Sequence, residues 1–235
     1  LQHINLDEIV SIGQEAFSGC SMLESFESRA LQSIGFSAFK NCTMLGKVQT
    51  GTILKTIVSS AFENCSALLR FNSSADGQYV IPDTVTSIGK GAFEGCNAIE
   101  DIILPFIGTS KDSNYSSSLF GYIFGTAGNN GGKTSTHNCT YQKYTSSDGA
   151  GFYIPKSIRK VTITQQTVIP YGAFYNCDLI EEITIPTNTQ SIRTAAFYEC
   201  NNLNRLNSNA NNTYNIPGSV TEINAQTFQN NKLLQ

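Results

Sequence analysis

The chain of 235 residues has a formal charge of −3 and only 14% charged residues, so no basic stripe is present to hold nucleic acid or anionic lipid. No apolar run approaches membrane-spanning length, which excludes membrane insertion by this segment, and no basic-then-apolar leader occurs within it. Ser, Thr and Asn take the place of charge, a composition suited to an extracellular surface.

Taken in order, the chain repeats one unit. Phe anchors stand at Phe17, Phe39, Phe62, Phe93, Phe174, Phe197 and Phe228. Five residues before each is Ile12, Ile34, Ile57, Ile88, Ile169, Ile192 or Ile223. Ala directly precedes every anchor except the last, where Thr227 stands. Three residues after the anchors come Cys20, Cys42, Cys65, Cys96, Cys177 and Cys200, with Asn231 in the last unit. Leu or Ile follows three residues on, then a short apolar alternation such as Ile183-Thr184-Ile185. Alternation with period two reads as a strand with one buried face.

The strand positions Phe26, Val48, Phe71, Ile102, Val161, Ile183 and Leu206 are 22, 23, 31, 59, 22 and 23 residues apart. A unit of about 23 residues with one strand lies in the leucine-rich-repeat range. A single unit cannot bury its own apolar residues, so stacking is required. The pattern predicts a leucine-rich-repeat solenoid with a single parallel sheet on one face and short helical or irregular turns on the other. Seven strands are expected in that sheet. The chain starts and stops in mid-pattern, so residues 1–235 are read as one solenoid and as a fragment of a longer chain.

Two intervals depart from the period. The 31-residue interval carries a polar excursion from Ser74 to Gln78 that leads through Tyr79 to Ile81-Pro82. The same excursion recurs from Asn209 to Thr213, leading through Tyr214 to Ile216-Pro217. Both are expected to be a loop variant of the unit. The 59-residue interval holds an insertion, 106–153, that lacks the Phe-and-Cys edge of one coil and predicts one long flap. It contains five of the ten tyrosines and an apolar segment, Leu119-Phe120-Gly121-Tyr122-Ile123-Phe124-Gly125. Gly128 to Gly132 reads as a turn or flexible tip.

The chemistry-bearing residues give no catalytic constellation. Seven cysteines cannot all pair internally, and no CxxC occurs. Stacked units would bring successive cysteines within Cα range of a disulfide, but their Cβ atoms would stay as far apart as their Cα atoms. The Cys column is therefore expected to hold buried thiols acting as small apolar fillers. His137-Asn138-Cys139 places His beside Cys in a loop, whereas a catalytic pair needs a third orienting group and an oxyanion hole. Asp76-Gly77 lacks the carboxylate density of a calcium loop and reads as a turn. No catalytic residue, metal site or cofactor is expected.

The recurring Ile-Pro-x-x-Val-x-x-Ile-Gly-x-x-Ala-Phe-x-x-Cys pattern, fullest from Ile81 to Cys96, resembles the BspA-type leucine-rich repeats of bacterial and protist surface proteins. The resemblance covers nearly the entire chain. It implies a secreted or wall-attached bacterial solenoid of adhesin type, and it carries over no ligand-contacting residue.

The insertion is where function is expected. Tyr, Ser, Gly and Asn together form the composition of recognition loops, because Tyr supplies rigid amphipathic area at low entropy cost. Tyr115, Tyr122, Tyr141 and Tyr144 are the candidate binding residues, with Leu119, Phe120, Ile123 and Phe124 packing the flap onto the solenoid. The expected partner is a protein or glycan recognised through the solenoid face or the flap. The alternative is a repeat spacer that holds another domain away from the cell wall.

Overall fold

The computed structural model describes residues 2–126, 139–143 and 151–233. Ten strands form one wholly parallel sheet. They are His3–Asn5, Ser25–Glu27, Lys47–Gln49, Arg70–Phe71, Gln78–Val80, Asp101–Leu104, Lys160–Ile163, Glu182–Thr184, Arg205–Leu206 and Thr213–Tyr214. Their register aligns one inward column: Ile4, Phe26, Val48, Phe71, Tyr79, Ile102, Val161, Ile183, Leu206 and Tyr214. From Phe26 to Leu206 every member of that column is buried. This is the leucine-rich-repeat solenoid that the spacing predicts.

The sheet has three strands more than the seven expected. One is His3–Asn5. The other two, Gln78–Val80 and Thr213–Tyr214, come from the excursions, which return to the sheet instead of hanging from it as loops. Phe71 and Tyr79 are parallel partners only eight positions apart in sequence, as are Leu206 and Tyr214. Adjacent parallel strands ordinarily need a crossover of a dozen residues or more. Here Asn72 and Asn207, both at φ +50, turn the chain back sharply. Each tyrosine then fills the core place that a missing half-coil would have occupied. The Tyr79 ring lies 6.1 Å from Phe71 and 5.6 Å from Phe93, and its hydroxyl donates to the Leu68 carbonyl at 2.8 Å. Tyr214 repeats this, donating to the Leu203 carbonyl at 2.6 Å.

Opposite the sheet, the dipeptides at Ser11–Ile12, Ser33–Ile34, Thr56–Ile57 and Ser87–Ile88 form a narrow parallel ladder. A second narrow ladder joins Val168–Ile169, Ser191–Ile192 and Glu222–Ile223. The Gly after Ile88 is required by close approach, since a Cβ at Gly89 would lie 2.1 Å from the Ser59 nitrogen.

Between sheet and ladder runs the Phe column. Phe17, Phe39, Phe62 and Phe93 stack at 5.1, 5.2 and 5.6 Å, and Phe174, Phe197 and Phe228 at 5.5 and 5.3 Å. Phe26 and Phe71 from the sheet meet these rings edge-on or nearly so, which satisfies the aromatic quadrupoles. The cysteines do more than fill space. The Sγ atoms of Cys42, Cys65, Cys96 and Cys200 donate to the carbonyls of Phe17, Phe39, Phe62 and Phe174 at 3.0–3.2 Å, one coil back. Asn231 keeps the place polar, its Oδ1 accepting the Cys200 N–H at 2.9 Å while its Nδ2 is buried without a partner among the described residues. Phe17 is only half-buried and Cys20 is exposed. Among the described residues no coil lies beneath the first one to cover them.

Candidate functional site

The insertion supplies the coil that the repeat leaves out. After Leu104 the chain buries Phe106 and Ile107, then Thr109 extends the first narrow ladder. The Ile88 N–H donates to the Thr109 carbonyl and the Thr109 hydroxyl donates to the Ile88 carbonyl, both at 2.9 Å. Two 3-10 turns follow, Tyr115–Ser118 and Phe120–Phe124. In ordinary coils the N–H of each Phe anchor donates to the carbonyl of the residue before the next anchor, Ala or, in the last unit, Thr227. The second turn serves both neighbours at once. Ile123 offers its carbonyl to the Phe93 N–H at 2.9 Å, and Phe120 donates its N–H to the Ala173 carbonyl at 2.9 Å. Two rings replace one, with Phe120 lying 5.4 Å from Phe174 and 5.3 Å from Phe124.

A hairpin closes this coil from outside. Cys139–Lys143 pairs antiparallel with Gly151–Pro155. Its key member is Gln142, which is fully buried. The Gln142 Oε1 accepts the Gly121 N–H at 2.6 Å, and its Nε2 donates to the Ala173 carbonyl at 2.9 Å. A buried amide with both ends bonded fixes the hairpin to the new coil. The sequence offers no signal for Gln142: it is one amide in a Ser-, Thr- and Tyr-rich stretch with no repeat partner.

The candidate tyrosines are distributed unequally. Tyr115 is 68% exposed, and Tyr141 is 41% exposed with its ring 5.1 Å from Tyr153. Tyr122 is half-buried, packed against the core and edge-on to Phe152 at 5.6 Å. Tyr144 and His137 lie outside the described residues. Two surface tyrosines that sequence reasoning passed over join the group. Tyr175 and Tyr198 stack at 4.8 Å and 5°, and the Asn176 side chain donates to the Tyr141 carbonyl at 2.8 Å. Burial, with Glu199, Tyr198 and Tyr171 nearby, raises the Tyr175 phenol above its ordinary value. The repeat held the signal, because Tyr175 and Tyr198 each follow a Phe anchor by one position.

The same position in the first half carries Lys40, Glu63 and Glu94. Lys40 and Glu63 pair at 3.0 Å. Glu94 is buried beneath the root of the flap, where a Cβ at Gly125 would fall on its Oε2. Its Oε1 has no hydrogen-bond partner among the described residues. Burial, and then the Glu63 charge, push its carboxyl up to about 7; Lys90, Lys40 and the Thr126 N–H oppose them. A carboxyl raised on folding favours the folded state while it is protonated. That stability is complete below about 4.5, the unfolded value, and is lost as pH rises through about 7. Glu94→Gln is expected to flatten the stability profile between those limits. It should raise stability above pH 8 by on the order of 2 kcal/mol, read by urea unfolding at a series of pH values.

The five buried thiols of the column are unsuited to nucleophilic work at neutral pH. Burial pushes Cys42 up to about 11 and Cys96 up to about 12, and raises Cys65, Cys177 and Cys200 as well. Among the described residues no three His, Cys, Asp or Glu side chains converge on a place for a metal ion. No helix among them is long and apolar enough to cross a membrane.

The family model for the BspA type leucine rich repeat region matches in six copies, over residues 1–79, 70–118 and 146–235. No curated protein matches the chain. Among solved structures, a leucine-rich repeat protein of T. pallidum is 19% identical, over 88% of this chain and 69% of its own, with a TM-score of 0.43. One from Bacteroides ovatus is 20% identical, over 97% of this chain and 58% of its own, with a TM-score of 0.48. A leucine-rich cell surface protein from Faecalibacterium prausnitzii is 20% identical, over 97% of this chain and 70% of its own, with a TM-score of 0.30. The chain thus spans between 58% and 70% of these proteins.

Proposed function

Because the chain belongs to the BspA-type leucine-rich-repeat family, we propose that it is a non-enzymatic binding module displayed on, or released from, a bacterial surface, where it recognises a protein or glycan as adhesins do. Residues 1–235 act in this reading as one solenoid, with 106–153 as an insertion that presents the contact residues. The observation that supports it is a division of labour within the insertion. Phe120, Ile123, Phe124 and Phe152 are buried in the core, whereas Tyr115 and Tyr141 stand in solvent. Anchored aromatic residues on a rigid scaffold bind with little ordering cost. The low charge and hydroxyl-rich surface suit an extracellular setting.

The test is a screen of the chain against arrayed glycans and immobilised extracellular matrix proteins. The Tyr115→Ser/Tyr141→Ser variant is expected to lose at least tenfold in affinity for whatever the parent chain retains, since truncated aromatic anchors cost about 1–3 kcal/mol each. Its melting temperature should be unchanged, because both side chains lie outside the core. Equal binding by the variant to every retained ligand would remove the two tyrosines from the site.

A further inference from the structure

Two grooves open on the sheet side where the excursions leave their strands. One, of about 640 Å³, lies among Arg29, Lys47, Arg70 and the turn at Asn72–Ser74. The other, of about 440 Å³, lies among Glu182, Thr184, Asn207 and Ser208. They are internal counterparts: Lys47 and Glu182, Arg70 and Arg205, and Asn72 and Asn207 are each 135 positions apart. The backbone cradle is the same in both. Asn72 Oδ1 accepts the Thr50 N–H at 2.7 Å, and Asn207 Oδ1 accepts the Ile185 N–H at 2.7 Å.

The charges differ. On the strands beside the second groove the register partners are Lys160, Glu182 and Arg205, and Glu182 pairs with both cations, at 3.1 and 3.0 Å. Across the first groove they are Ser25, Lys47 and Arg70. Two cations directly opposite on adjacent strands destabilise the sheet. Arg70 is relieved by Asp76 at 2.6 Å, and Arg29 meets Glu27 at 3.7 Å. Lys47 has no acidic partner among the described residues. Glu27, held by Arg29, also lines the groove, and the rest of the lining is hydroxyl, amide and glycine, including Gln49, Thr52, Ser73 and Ser74.

A ligand for this groove must bring a negative charge to Lys47 and hydrogen-bonding groups to the hydroxyls and amides beside it. An acidic peptide would bind such a place poorly. The groove lies over inner strands whose backbone edges are already paired, and it offers no apolar pocket for an anchor. A sugar carboxylate flanked by ring hydroxyls fits both demands. We propose that the Lys47 groove is a subsite for a uronate-bearing glycan, and that the Glu182 groove is its inactive counterpart. This rests on the chain being a binding module, and it names the ligand class for the solenoid face.

The experiment titrates the whole chain, by calorimetry at low salt, with tetrasaccharides of galacturonate, of glucuronate alternating with N-acetylhexosamine, and of guluronate–mannuronate. The methyl esters of each and a tetraglutamate peptide serve as controls. At least one uronate is expected to bind, its ester and the peptide at least tenfold more weakly. Lys47→Glu, which installs the sign pattern of the second groove, should weaken that uronate at least tenfold. Lys47→Gln should weaken it roughly three- to tenfold, and Lys160→Ser should leave it unchanged. Failure of all three uronates to bind, equal binding of the peptide, or an unaffected Lys47→Glu variant overturns the proposal. Tyr115- and Tyr141-dependent binding seen alongside a silent groove would sink this inference alone and leave the wider reading standing.

Discussion

Replacing Phe120 and Phe124 together by Ala is expected to split unfolding into two transitions. These rings belong to the insertion, yet they sit where one coil's anchor should be, with Phe120 5.4 Å from Phe174 and 5.3 Å from Phe124. The narrow ladder is already interrupted here, four strands on one side and three on the other. What joins the halves is the pairing of Asp101–Leu104 with Lys160–Ile163, the hydroxyl bonds of Thr164 to Asp83 and of Ser157 to the Asn97 carbonyl, and the packing of the inserted coil. Each Phe→Ala change in a core costs about 3–5 kcal/mol. Because the two rings touch, the pair will cost less than the sum, roughly 5–8 kcal/mol. In a solenoid that loss falls on one nearest-neighbour interface, and the coils on either side of it uncouple. Urea unfolding followed by circular dichroism, with hydrogen exchange resolved by segment, checks this. A single coincident transition at the parent midpoint would show that the insertion rides outside the core.

Phe62→Ala is expected to be the most damaging single change in the regular coils. Phe62 is fully buried and touches Phe39 at 5.2 Å, Phe71 at 5.5 Å and Phe93 at 5.6 Å. Removing it deletes a ring that packs against three others and leaves a cavity between stiff coils that cannot collapse onto it. The loss should be about 4 kcal/mol. Phe17→Ala, the same substitution at a half-buried ring of the first coil, should cost about 1–2 kcal/mol. Denaturant midpoints at constant slope measure both. Equal losses at the two positions would mean that the column is not the continuous core described above.

The repeat was legible because its packing residues have strict duties. Ile, Ala, Phe and Cys return in register, and each is buried in every complete coil after the first. The two extra strands were not legible from the same pattern. Each is two or three residues long, and an eight-residue return to a parallel partner runs against the usual crossover length. Tyr79 and Tyr214 were visible as recurring residues, but nothing local says that a tyrosine after a polar turn will occupy a core place. The insertion was readable as a departure from the repeat and as a source of tyrosines. Its replacement of the missing coil depends on Gln142 and on Phe120 and Phe124 acting together, contacts between segments that share no period. Glu94 escaped for the opposite reason: a charged residue directly after a Phe anchor reads as a surface charge, yet Glu63 and Glu94 are both buried, and Glu94 lies under the flap root as well.

The excursion strands also bear on the curvature of the molecule. Between Arg70–Phe71 and Asp101–Leu104 the sheet takes two steps of about 4.8 Å each, whereas the Phe column behind advances only 5.6 Å from Phe62 to Phe93. Each excursion is thus a wedge driven in from the sheet side. It fans the adjoining coils apart in front and works against the inward bow that a regular array would adopt. A bowed array encloses a compact guest. A fanned one offers a broad, open ramp, suited to lying along an extended polymer.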